Sequence, residues 1–201
     1  MRRWLAALLC SASLCLAGTI SAASAPEEAA PEQVVAQVAG FHQQLLAAMQ
    51  AGADFAARSA LLEPVVGNFF DFPTICRISL GRTWRQLDEA GQRQFCELLE
   101  ELVVATYASR FERYSGQSFR TLSSAPAARG WVVKTELLRA SGERVTLDYY
   151  FRAAGAFNVV ADGVSDLSLR RADYSSIIKT DGYEGLLASL RSNIAEYQQG
   201  E

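Results

Sequence analysis

The sequence predicts an α+β domain: an antiparallel curved sheet of about four strands, with an N-terminal helical lobe and C-terminal helices packed on one face. Two changes of period predict it. Apolar residues recur at three- and four-residue steps up to about Tyr114, alternate from Gly116 to Ala161, and return to helical spacing from Tyr174 onward. A third observation bears on the number of units. No internal repeat or low-complexity linker interrupts residues 32–201, so a single domain is expected.

The first helix is written in Val34, Val35, Val38, Phe41, Leu45, Leu46 and Met49, and Gly52 closes it. A second runs from about Asp54 towards Val66, where Pro64 marks a bend or an end because proline has no N–H to give the preceding turn. Pro73 suits the first turn of a short third helix that stops near Gly81, with Asp71 placed to cap it. The longest helix opens at Asp88 and runs towards Tyr114, with Phe95, Leu98, Leu99, Leu102, Val103, Tyr107 and Phe111 on one face. Glu97, Glu100, Glu101 and Arg113 form its solvated face. Residues 117–123, 130–140, 143–153 and 156–161 read as strands, with hairpin turns at Ser141-Gly142 and Ala154-Gly155. Leu186, Leu187, Leu190, Ile194 and Tyr197 continue the helical period that Tyr174 reopens.

Residues 1–23 have the anatomy of a cleaved secretory leader. Arg2 and Arg3 precede the apolar run Trp4 to Ala17, and Ser21-Ala22-Ala23 meets the small-x-small requirement for cleavage. The run is shorter than the ~20 residues a membrane span needs. Leu9 and Leu14 stand before Cys10 and Cys15, where a lipobox wants a small residue, so lipidation is not expected. Residues 24–31 read as a flexible, proline-bounded lead-in.

Of 19 lysines and arginines, Arg2 and Arg3 leave with the leader, so 17 basic residues face 22 acidic ones, a net charge of −5. Such a surface argues against nucleic acid, and against an anionic membrane, as the main partner. Cys76 and Cys96 remain; an oxidising compartment would let them pair, while their apolar helical settings suit two buried thiols at least as well. Two cysteines are too few for a four-ligand zinc site, and no metal or cofactor is expected.

Catalytic chemistry finds little footing. His42, the one histidine, reads as a helix-surface or boundary residue with no third group to hold it as a base. Phosphate-loop, zinc-protease and nucleophile-elbow motifs are missing from the sequence. Asp148 and Tyr149 offer an acid/base alternative, that of a small-molecule isomerase or hydrolase working in the pocket. Strand alternation sets Val145, Leu147, Tyr149 and Phe151 on one face and Asp148 on the other with Thr146, Tyr150 and Arg152. There Asp148 reads as a cross-strand partner of Lys134 or Arg152.

Several separated motifs, in order, cover nearly the whole chain after the leader. They are Leu62-Glu63-Pro64-Val65-Val66; Phe70-Asp71-Phe72-Pro73-Thr74-Ile75-Cys76-Arg77; Leu80-Gly81-Arg82-Thr83-Trp84-Arg85; Gln92-Arg93-Gln94-Phe95; Thr106-Tyr107-Ala108; Leu147-Asp148-Tyr149; and Gly163-Val164-Ser165 with Arg171 and Tyr174 downstream. Together they resemble the MlaC-type, toluene-tolerance family of periplasmic lipid carriers. The string from Asp162 to Arg171 looks more like that family's hopanoid-associated HpnM branch. The resemblance implies an NTF2-like sheet, a periplasmic location and a carrier rather than an enzyme. It also implies a phospholipid or hopanoid as cargo, with an inner-membrane transporter complex and an outer-membrane complex as partners. A monomer is expected.

Carriage has an energetic requirement. Exposing one ~16-carbon chain to water costs on the order of 12 kcal/mol, so a diffusing carrier must enclose most of it. Candidate walls are Trp131, Val133 and Leu137 beside Val145, Leu147, Tyr149 and Phe151, with Leu102, Tyr107 and Phe111 across from them. Periodicity does not separate a lined cavity from a filled core, and by itself it favours the core. The resemblance implies the cavity, an apolar pocket enclosed by the sheet, the N-terminal helical lobe and the C-terminal helices. Arg77, Arg85 and Arg171 are candidates for a lipid head group or a docking partner, while Asp71 and Trp84 read as structural.

Overall fold

A computed structural model describes residues 31–199 of the chain. The expected leader lies outside the described residues, as does the lead-in up to residue 30. Pro31, read as the end of that lead-in, is instead the first residue of helix α1 (Pro31–Gln50). Its fixed φ and missing N–H cost nothing in a first turn.

The helical lobe continues with α2 (Phe55–Phe69), α3 (Phe72–Leu80), a 3₁₀ turn (Thr83–Gln86) and α4 (Glu89–Arg110). Capping explains three of the starts. The carboxylates of Asp54, Asp71 and Asp88 accept from the backbone N–H groups of Ala57, Thr74 and Gly91 at 2.9, 3.1 and 2.8 Å. Pro64 neither bends α2 to a stop nor ends it; the helix carries on to Phe69. Burial of Leu62, Val66 and Phe69 holds that face in the core and offsets the one backbone bond proline removes. Cys76 of α3 and Cys96 of α4 form a disulfide, with Cα atoms 5.7 Å apart.

Five strands follow rather than four: β1 (Ser118–Ala127), β2 (Gly130–Leu138), β3 (Arg144–Arg152), β4 (Gly155–Ala161) and the two-residue β5 (Val164–Ser165). They form one antiparallel meander in chain order. The fifth was hidden by its length, since two residues carry no alternation. The tight Asp162-Gly163 turn, both residues at positive φ, folds it back on β4. β1 also extends four residues past its expected end, past a register shift between Thr121 and Ser123.

Helix α5 (Asp166–Gln199) starts directly after β5, well before Tyr174, and is kinked at Gly182 (φ 74°, ψ −176°). The lobe meets the sheet where Phe70 bridges to Ala156 and the Asp71 N–H donates to the Ala156 carbonyl at 2.8 Å. That approach needs Gly155. Its φ is +138°, and a Cβ there would stand 2.9 Å from the Phe69 carbonyl oxygen. α1 lies against β1 and β2, while α2, α3 and α5 approach β4, so one sheet face is covered by helices. None of the helices among the described residues is long and apolar enough to cross a membrane.

Candidate functional site

Strand register decides which side chains share the covered face. Trp131 stands opposite Phe151, Val133 opposite Tyr149, Thr135 opposite Leu147 and Leu137 opposite Val145. The expected strand residues therefore do lie side by side. On β1, Phe119 pairs with Leu137 and extends the same face.

This face is most closed at its middle. Val133, Thr135, Tyr149 and Phe151 are fully buried, Trp131 beside Phe151 is half-buried, and Leu137, Val145 and Phe119 at the other end are all half-buried. Phe111, at the C-cap of α4, is also half-buried, and its ring centroid is 6.1 Å from that of Phe119. Phe111, Phe119, Leu137 and Val145 thus form a rim of an apolar interior whose most buried strand pair is Val133 and Tyr149.

Rings fill that interior. Phe41 stacks on Phe69 at 3.9 Å, and Tyr107 meets Phe41 edge-on at 5.4 Å and stacks on Phe111 at 5.7 Å. Phe69 in turn stands edge-on to Tyr149 and Phe151, 5.5 Å from each. Leu102 is buried on α4, more than a turn before Tyr107. Trp131 is half-buried, and its indole Nε1 lies out of solvent without a hydrogen-bond partner among the described residues.

His42 is the main correction. It is buried rather than at the helix surface, stacks on Phe119 at 4.0 Å, and places Nε2 3.0 Å from the Tyr149 hydroxyl. Burial lowers its pKa from 6.5 to about 4, so the imidazole is neutral at pH 7. Burial likewise pushes the Tyr149 phenol well above its ordinary value, with Tyr107 adding to the effect. A sequence signal for His42 existed: it continues the Val38, Leu45, Met49 stripe at four- and three-residue steps. Its polarity outweighed its position.

Asp148 faces the other way. Its carboxylate is 4.0 Å from Lys134 Nζ on the uncovered face, where Glu136 also pairs with Arg120 at 2.8 Å. Asp148 and Tyr149 therefore do not converge on one pocket, because consecutive strand residues point to opposite faces. Among the described residues no three histidine, cysteine, aspartate or glutamate side chains gather as a metal site.

The arginines separate. Arg77 is exposed in the last turn of α3, and Arg85 is exposed on the 3₁₀ turn. Arg171, on α5, lies over the C-terminal end of α3, where a Cβ at Gly81 would be 3.3 Å from its Nη2. A cation there is favoured by the negative end of the helix. A separate groove of about 530 Å³ on the outer side of α2 and α4 is lined by Glu63, Pro64, Gly67, Asn68 and Glu100. Its two carboxylates make it a poor host for hydrocarbon.

Comparison with known proteins agrees with this architecture. Among solved structures, the chain is similar to a phospholipid-binding protein from Ralstonia solanacearum, solved in complex with a phospholipid. The TM-score is 0.71 at 21% identity, over 83% of this chain and 99% of that one. At that identity the likeness speaks for the fold. Family membership rests on the sequence: the family model described as "MlaC protein" matches residues 39–192, from the middle of α1 into the last turns of α5. A match spanning the lobe, the sheet and the closing helix leaves one conclusion: the chain belongs to the MlaC family.

Proposed function

We propose that this protein is a lipid carrier of the periplasm, which holds the hydrocarbon of a membrane phospholipid between sheet and helices and moves it through water. The observation that carries the reading is the covered sheet face, register-matched from Trp131 and Phe151 to Leu137 and Val145 and apolar except for the buried Thr135. It is fully buried at Val133 and Tyr149 and half-buried at the Leu137 and Val145 rim. A chain lying along it would be hidden from water, while a polar head stays outside. Enclosure of this kind is what the ~12 kcal/mol cost of exposing one long chain calls for. Membership of the MlaC family and the phospholipid held by the Ralstonia solanacearum relative support the same reading.

Leu102, Tyr107, Phe111, Trp131, Val133, Leu137, Val145, Leu147, Tyr149 and Phe151 are the proposed tail contacts. Because rings fill the interior, entry of a tail requires them to move, and the half-buried Phe111 and Phe119 at the rim are the least confined of them. In this reading the protein is exported by its cleaved leader, works as a monomer and performs no chemistry on its cargo. It receives lipid from one membrane complex and delivers it to another, an inner-membrane transporter being one of them. Arg77, Arg85 and Arg171 are candidates for meeting such partners or a head group. A hopanoid cargo is the finer alternative, supported by the likeness of residues 162–171 to the HpnM branch.

The test is extraction of the purified mature protein with organic solvent, followed by mass spectrometry. Stoichiometric phospholipid or hopanoid is the expected result and identifies the cargo. Absence of any lipid, together with no binding of a fluorescent phospholipid, overturns the carrier reading.

A further inference from the structure

Among the rings packed between α1, α4 and the sheet, four carry polar atoms: His42, Tyr149, Tyr107 and Trp131. The first two are hydrogen-bonded at 3.0 Å and almost wholly buried, at 4% and 1% exposure. A filled core gains little from this arrangement. One neutral hydrogen bond returns about as much as it costs to desolvate its partners, and two apolar rings would pack there without that cost. The pair also lies close to the rim. His42 is stacked on the half-buried Phe119, and Phe119 in turn neighbours the half-buried Phe111, so one ring separates the pair from the open end.

We propose that the His42–Tyr149 pair is the polar recognition point of the lipid site, taking one uncharged oxygen of the cargo, an ester carbonyl or a hydroxyl. This deepens the carrier reading and rests on it. The tautomer makes the pair adaptable. If imidazole Nε2–H donates to the phenol oxygen, the phenol hydrogen is free to donate to a carbonyl. If the phenol donates to Nε2, its oxygen remains able to accept from a hydroxyl. The rings in contact with the pair are Phe41, Phe69 and Phe119, none of them a cation. A phosphate placed here would lose its water without gaining a counter-charge, so the head group lies elsewhere.

The experiment compares matched probes on the full mature protein, by displacement of a fluorescent phospholipid. One arm sets dioleoyl phosphatidylcholine against its di-ether analogue, which lacks both carbonyls. The other sets a long-chain alcohol against its methyl ether. In the wild type, the probe that keeps the matching oxygen should bind about tenfold tighter in at least one arm, and the arm identifies the oxygen. The His42→Phe/Tyr149→Phe double variant replaces both partners by rings of similar size and should bring the ratio to about one. Equal binding of both members in both arms by the wild type overturns the inference while leaving the carrier reading intact. A wild-type preference that persists unchanged in the folded double variant also overturns it. Failure of every probe to bind instead overturns the carrier reading.

Discussion

The imidazole Nε2 of His42 and the hydroxyl of Tyr149, 107 residues apart in the chain, meet at 3.0 Å inside the aromatic interior. A helix residue and a strand residue thereby tie the helical lobe to the sheet through a polar contact in an apolar place. Its consequences for stability follow from the state of the imidazole.

Because burial lowers the folded-state pKa of His42 from 6.5 to about 4, the unfolded chain takes up the proton first as pH falls. Stability is complete above pH 6.5 and is lost between 6.5 and 4, on the order of 1 kcal/mol per pH unit. Urea unfolding of the wild type and of His42→Phe at pH 7, 5.5 and 4.5 checks this. Carboxylates titrate in both proteins, so the difference between them isolates His42. Parallel loss in the two would contradict the assignment.

The Cys76–Cys96 disulfide joins α3 to α4 across a sequence separation of 20 residues. A cross-link closing a loop of that size is worth about 3 kcal/mol. The Cys76→Ala/Cys96→Ala double variant should therefore shift the urea midpoint downward by a corresponding amount. Wild-type protein kept under strong reductant should move in the same direction.

Gly155 and Gly40 should respond with opposite signs to alanine. At Gly155 the φ of +138° and the nearby Phe69 carbonyl make Gly155→Ala destabilising by roughly 2–3 kcal/mol. Gly40 lies inside α1 with no atom within 4 Å of a new Cβ, so Gly40→Ala should stabilise by about 1 kcal/mol. Thermal melts of the two variants, read against the wild type, test both signs together.

Asp148→Asn should leave lipid retention unchanged and cost less than about 1 kcal/mol of stability, since its pair with Lys134 is partly exposed. Loss of lipid from this variant, or loss of a turnover present in the wild type, would return Asp148 to the functional site.

Much of the fold was legible in the residues because it depends on local chemistry. Capping by Asp71 and Asp88 is set within three residues, and the pairing of Trp131, Val133 and Leu137 with Val145 to Phe151 follows from alternation. Where the reading failed, a longer-range term outweighed the local one. Pro64 stays inside α2 because the buried face of that helix holds it, and β5 was too short to show a period.

The sequence by itself determined the helices–strands–helices order, the inward and outward faces of each strand and, through its separated motifs, the family. Only the tertiary structure decided that His42 turns inward to Tyr149 and that Cys76 and Cys96 pair. It also decided which end of the apolar face approaches solvent. The physical reason is the same in each case. Periodicity states which side of an element is apolar, but what that side meets depends on elements far away in the chain. A polar residue on such a side finds its partner only when those elements pack.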